Sequence, residues 1–115
     1  MERDPHRQEK VESLLARYVG EFLSHEAGPM SLITVTRVTY NPKTKKAIVF
    51  LSVLPDSQEK TALAFAKRKS SDLREWIKEK VNMGSLPVFE FLIDIGEKNR
   101  QRVEDISAQD NLGTI

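Results

Sequence analysis

The stretch from Lys67 to Asp94 constrains this chain most, because its pattern changes three times within one short span. A basic run, Lys67-Arg68-Lys69, meets Ser70-Ser71-Asp72, after which Leu73, Trp76, Ile77 and Val81 recur at helical spacing. Short hydroxyl and carboxylate side chains compete for backbone N–H groups, so the Ser-Ser-Asp triplet favours a helix restart over a continuous helix. Asn82-Met83-Gly84 reads as a helix stop, and Pro87 reinforces it. Val88 to Ile93 then alternates as a strand, with Phe89, Phe91 and Ile93 on one face and Val88, Glu90 and Leu92 on the other. Two helices meeting at a basic junction and an apolar strand need partners to pack against.

The preceding residues supply them. Val11, Leu14, Leu15, Tyr18, Val19, Phe22 and Leu23 form one stripe of an amphipathic helix over about Gln8 to Ser24, with Pro5 at or just before its first turn. His25 to Met30 breaks that helix at Gly28-Pro29. Leu32 to Tyr40 is rich in β-branched residues and predicts a strand. Strict alternation would send Val35 and Val38 to opposite faces, and a bulge near Thr36-Arg37 would bring both inside. Asn41-Pro42-Lys43-Thr44 is a turn, and Ala47 to Leu54 is the return strand, with Ala47, Val49, Leu51 and Val53 facing one way.

Pro55-Asp56 closes this hairpin, and Asp56 with Glu59 has the spacing of a capping pair for a helix over Ser57 to about Lys69. That helix turns Ala62, Phe65 and Ala66 inward, and Asp72 with Glu75 repeats the capping pattern for the next one. After Ile93, Ile95-Gly96 turns the chain, Lys98 to about Ser107 forms a short last helix, and residues 108–115 are a flexible tail. The element order is α-β-β-α-α-β in a single α+β domain over residues 1–107. One three-stranded sheet with helices on one face packs these elements economically.

Composition excludes several classes. A chain of 115 residues with 39% hydrophobic and 30% charged residues can build an unaided core. Disulfide and thiolate chemistry are excluded by the lack of cysteine, and the expected location is cytoplasmic. No apolar run approaches the ~20 residues of a membrane span, and the polar start Met1 to Arg7 has no signal-peptide core.

The catalytic inventory is thin. His6 and His25 are the two histidines, in no metal-ligand spacing, and Ser70-Ser71 lacks the surround of a nucleophile elbow. Glycines are scattered at turns rather than gathered in a phosphate loop. These features predict a binding module with no catalytic residues, no metal and no cofactor. Net charge is only +1, from 18 basic and 17 acidic residues, so distribution matters more than total. Basic residues gather at Lys43, Lys45 and Lys46, at Lys67, Arg68 and Lys69, at Arg74, Lys78 and Lys80, and at Lys98, Arg100 and Arg102. Where the two helices meet, Lys67, Arg68, Lys69 and Arg74 add to the positive potential of a helix N-terminus, a natural place for phosphate. Trp76 and the other aromatic residues read as core rather than as stacking surfaces for bases.

Taken together, the helix stripe Val11 to Leu23, the run Thr34 to Val38 with its return Ala47 to Leu54, the segment Leu86-Pro87-Val88-Phe89-Glu90-Phe91-Leu92-Ile93-Asp94, and the closing Glu97 to Ile106 resemble the ribosome-binding factor A family over about Gln8 to Ser107. The resemblance implies a type II KH-like fold with a mixed sheet. It also implies non-catalytic binding to the small ribosomal subunit and its rRNA during late maturation and rRNA processing, with no membrane partner and a monomeric free state. The family has an Ala-x-Gly interruption between the two helices. Lys69-Ser70-Ser71 stands there in this chain and departs at both ends, trading a methyl group for charge and glycine for serine. The RNA-binding residues expected on this basis are Lys67, Arg68, Lys69, Ser70, Ser71, Arg74 and Lys78, with Lys43, Lys45, Lys46 and Arg102. Two other readings compete: a protein–protein module working through the first helix or a sheet edge without nucleic acid, and a small hydrolase built around Asp94 or His25.

Overall fold

A computed structural model of the chain describes residues 5–27 and 32–100. Helix α1 (Pro5–Ala27) opens the fold, β1 (Leu32–Asn41) and β2 (Lys46–Leu54) form a hairpin, α2 (Glu59–Arg68) and α3 (Ser70–Lys80) follow, and β3 (Val88–Ile93) completes a three-stranded sheet. β2 is central, paired antiparallel with β1 and parallel with β3. Parallel neighbours cannot be joined by a tight turn, so the β2-to-β3 connection must cross over, and α2 and α3 are that crossover. The expected α+β order and mixed sheet are what the structure has, and no helix among the described residues is long and apolar enough to cross a membrane.

The core lies between the helices and one sheet face. From α1 come Leu15, Val19, Phe22 and Leu23, from β2 Ala47, Val49, Leu51 and Val53, from β3 Phe89 and Phe91, and from α2 and α3 Ala62, Ala66, Leu73 and Ile77. Full burial of a side chain such as Phe91 or Leu51 contributes roughly 1.5–3 kcal/mol, whereas an exposed ion pair contributes about 0–1 kcal/mol. The apolar layer therefore dominates stability. Trp76 joins it, edge-on to Tyr18 and tilted against Phe22, each with ring centroids 5.8 Å apart.

The bulge is present. Val35 pairs with Leu51 and Arg37 with Phe50, leaving Thr36 as the extra residue. Val38 is thereby buried and Val35 packs at the core margin, while Arg37 turns to the far face.

Other local expectations are corrected. α1 outruns its apolar stripe at both ends, so His25 to Ala27 are helical rather than a break, and the Gly28-Pro29-Met30 turn lies outside the described residues. Asp56 does not cap α2: it sits in a 3₁₀ turn, Asp56–Gln58, while Gln58 at the cap position makes no side-chain bond. Lys98 Nζ occupies both acids of the expected capping pair, 3.1 Å from Glu59 and 3.9 Å from Asp56. Asp72 is not a cap either, because α3 already begins at Ser70, and its charge instead lies in the first turn, where the helix dipole favours an anion. Residues 95–100 are helical, so Ile95-Gly96 begins the last helix instead of turning the chain. The remainder of that helix, and the tail, fall outside the described residues.

Candidate nucleic-acid interface

The break between α2 and α3 is a single residue. Lys69 adopts φ −88° and ψ 1°, a conformation open to any L-residue, so neither glycine nor the serines create the interruption. Its N–H donates to Phe65 O at 3.1 Å and its carbonyl accepts Leu73 N–H at 2.8 Å, so both backbone groups of the joining residue are paired. Ser70 and Ser71 lie inside α3, and neither makes a side-chain cap.

Helical spacing sorts the charges of α3. At 3.6 residues per turn, Ser70, Ser71, Arg74 and Lys78 share about 100° of arc, and Asp72, Glu75 and Glu79 fill the next ~60°. Leu73 and Ile77 follow beyond the Ser70 edge of the cationic arc and are buried in the core. On α2, Lys67 and Arg68 are exposed beside Lys60, a cation with the same outward orientation that sequence reading did not single out. The signal for Lys60 was available, since it lies seven residues, two turns, before Lys67. Among the described residues Lys60, Lys67, Arg68, Arg74 and Lys78 form no ion pair. Lys69 does: its Nζ lies 3.8 Å from Glu26 Oε2 at the end of α1.

The hairpin tip lies at the other end of the molecule. Gln8 Nε2 donates to Tyr40 O at 3.1 Å and Tyr40 N–H donates to Glu12 at 2.7 Å, so the first turns of α1 sit beside the tip and its last turn beside Lys69. Lys43, Lys45 and Lys46 therefore do not join the α2–α3 corner. Lys46 is held by Glu90 at 3.1 Å, while Lys43 and Lys45 form no ion pair among the described residues. Arg102 lies outside the described residues.

Asp94 is the buried charge of the structure's described part. Thr36 Oγ1 donates to its Oδ2 at 2.6 Å, Glu97 N–H donates to its Oδ1 at 3.0 Å, and Arg37 Nε lies 3.8 Å away. The Thr36 hydroxyl first, then the Glu97 N–H and the Arg37 charge, hold its carboxyl below the usual range, against the opposing effect of burial. The carboxylate thus caps the last helix and ties it to the bulge. Arg37 in turn lies over the Phe50 ring at 4.0 Å. Phe50 is consequently not core, as the sequence suggested for every aromatic, but lies on the sheet face that none of the described helices covers, with the exposed Leu32, Leu54, Val88 and Leu92.

A family model described as ribosome-binding factor A matches residues 7–107. The chain belongs to the ribosome-binding factor A family. Ribosome-binding factor A of Coxiella burnetii is 27% identical over 99 residues, covering 84% of this chain and 83% of that protein. The crystal structure of the Thermus thermophilus factor superposes with a TM-score of 0.68 at 25% identity, over 75% of this chain and 93% of that one. A homology model of the T. thermophilus factor, fitted into a cryo-electron-microscopy map of a 30S–RbfA complex, gives a TM-score of 0.63 at 26% identity, over 72% of this chain and 90% of that one. The α-β-β-α-α-β order with a mixed sheet is that of the ribosome-binding factor A structures, the KH-like fold.

Proposed function

We propose that this protein is a non-catalytic assembly factor of the small ribosomal subunit. It binds the immature particle in the cytoplasm, as a monomer when free, and contacts rRNA during late maturation and rRNA processing. The observation that carries this reading is the cationic side of the corner: Lys67, Arg68, Arg74 and Lys78, with no ion pair among the described residues, are exposed on two helices joined at Lys69. Phosphates are the complementary partner, and such contacts position a protein without selecting sequence. Family membership and the T. thermophilus 30S complex support the choice of the small subunit. A positioning role needs no reacting group; the domain occupies its site until maturation removes it.

The test is co-sedimentation with purified small subunits across a salt series. Replacing Lys67, Arg68, Arg74 and Lys78 by glutamine should weaken binding at least tenfold and flatten its salt dependence by about 0.7–0.9 per lost phosphate contact, with thermal unfolding nearly unchanged. Undiminished co-sedimentation would remove the corner from the interface. A protein contact is the second reading, favoured by the uncovered face around Phe50 and Leu92. Loss of subunit binding in Leu92→Asp, with the corner variant unaffected, would select it.

A further inference from the structure

Among the described residues the cationic corner has a counterpart at the hairpin tip, and the fold sets the distance between them. At the hairpin tip, Lys43 N–H donates to Asn41 Oδ1 at 3.0 Å, Lys45 takes a left-handed conformation at φ 56°, and its carbonyl accepts Val88 N–H at 2.9 Å. The turn is therefore pinned to β3 and braced by Asn41 and Pro42, with Lys43 and Lys45 exposed on it. A lysine at positive φ gives up the backbone ease that glycine or asparagine would have there, and adds a charge instead.

Helix α1 measures the spacing. Its Glu12 meets Tyr40 just before the tip, and its Glu26 meets Lys69 at the corner. Between those two residues the helix advances roughly 21 Å at 1.5 Å per residue. The screening length at physiological ionic strength is about 8 Å, so the two sites act on a polyanion independently. A span of that size corresponds to about six phosphate steps along one strand of a duplex at 3.4 Å per step.

Resting on the rRNA-binding reading above, we propose that the tip is a second phosphate anchor. With it the domain works as a rigid bridge across about 20 Å of folded RNA, holding two separated backbone segments in fixed relation. A ligand that reaches only one anchor gains nothing from the other.

The experiment compares two probes, purified small ribosomal subunits and a uridine tetranucleotide too short to reach both anchors. The tip variant is Lys43→Gln with Lys45→Asn, since asparagine tolerates the left-handed conformation; the corner variant is Lys67→Gln with Arg68→Gln. Unfolding midpoints of both variants within a few degrees of the parent establish that the fold is retained. The tip variant should bind subunits roughly tenfold more weakly at physiological salt, with a salt slope smaller by about 1.5. Its tetranucleotide titration, followed by amide chemical shifts, should show the corner resonances unmoved from their parental behaviour. The corner variant should lose affinity for both probes. Parental subunit affinity and salt slope in the tip variant overturn the bridge while leaving corner binding in place; indifference of both variants overturns the rRNA reading itself.

Discussion

Replacing Asp94 by alanine tests how the last helix is tied to the sheet. Three interactions disappear together: the cap on Glu97 N–H at 3.0 Å, the 2.6 Å bond from Thr36, and the looser approach of Arg37 at 3.8 Å. Loss of a cap costs about 1 kcal/mol. A hydrogen bond to a charged acceptor contributes about 1.5–3 kcal/mol, but the lower figure applies, because the single Thr36 hydroxyl proton can turn to Phe50 O, 3.2 Å away. Arg37 is 59% exposed, so water screens its attraction and it adds about 0.5 kcal/mol at most. The sum is about 3 kcal/mol, or a fall of roughly 10 °C in unfolding midpoint for a domain of this size. Urea unfolding followed by tryptophan fluorescence measures it. The pH dependence gives an independent readout. Because the folded carboxyl is held below its usual range, the unfolded chain binds more protons in acid. The contribution of Asp94 is thus complete above the unfolded value near 4, and is lost as pH falls through the folded one. The variant should show a shallower acid decline than the parent. A cost below about 0.5 kcal/mol, or an unchanged acid profile, would refute the three-way tie.

Gly20 is a helix-interior glycine with room for a methyl group, since an added Cβ would stand 3.8 Å from Val35 Cγ2. Gly20→Ala should therefore raise stability by about 0.5–1 kcal/mol in the same urea assay. At the corner, Lys69→Ala should leave stability within about 0.5 kcal/mol, because the backbone there needs no special residue and both side chains of the Glu26 pair are 36% exposed at 3.8 Å. Lys69→Gly should destabilise by up to about 1 kcal/mol through unfolded-state entropy, and a stabilised glycine variant would contradict the relaxed dihedrals.

Local pattern carried most of the fold. The α1 stripe, the alternation of β2 and β3 and the turn after Asn41 are short-range signals, and each element has its expected type and place in the order, with α1 longer than its stripe. The bulge was readable because Val35 and Val38 cannot both face inward on a regular strand. Capping failed for a physical reason: Asp56 and Glu59 are claimed by Lys98, some forty residues along, and local spacing carries no trace of that demand. The helix break shifted to Lys69 because a residue near φ −88°, ψ 1° has no compositional signature. Asp94 was legible as a strand-end carboxylate, but its partners Thr36 and Arg37 lie across the central strand. The same limit applies to the interface. Residue types marked the cations, whereas the pairing of Lys69 with Glu26 and of Lys46 with Glu90, and the placement of tip and corner at opposite ends, are tertiary facts.

A net charge of +1 is no obstacle to a polyanionic partner once the charges are placed. Screening over about 8 Å means that a phosphate at the corner responds to Lys67, Arg68, Arg74 and Lys78 far more than to acids elsewhere in the fold. Many of those acids are already committed: Glu26 to Lys69, Glu90 to Lys46, Asp56 and Glu59 to Lys98, Asp94 to Arg37. The neighbouring stripe of Asp72, Glu75 and Glu79 remains, and it has a directional consequence. On the proposed reading, a phosphate backbone approaching α3 is drawn to one side of the helix and repelled by the next, so the strand would run along the Arg74–Lys78 side and not across it. Charge segregation on α3 therefore fixes orientation, while the count of phosphates neutralised, not the net charge, determines how steeply binding falls with salt.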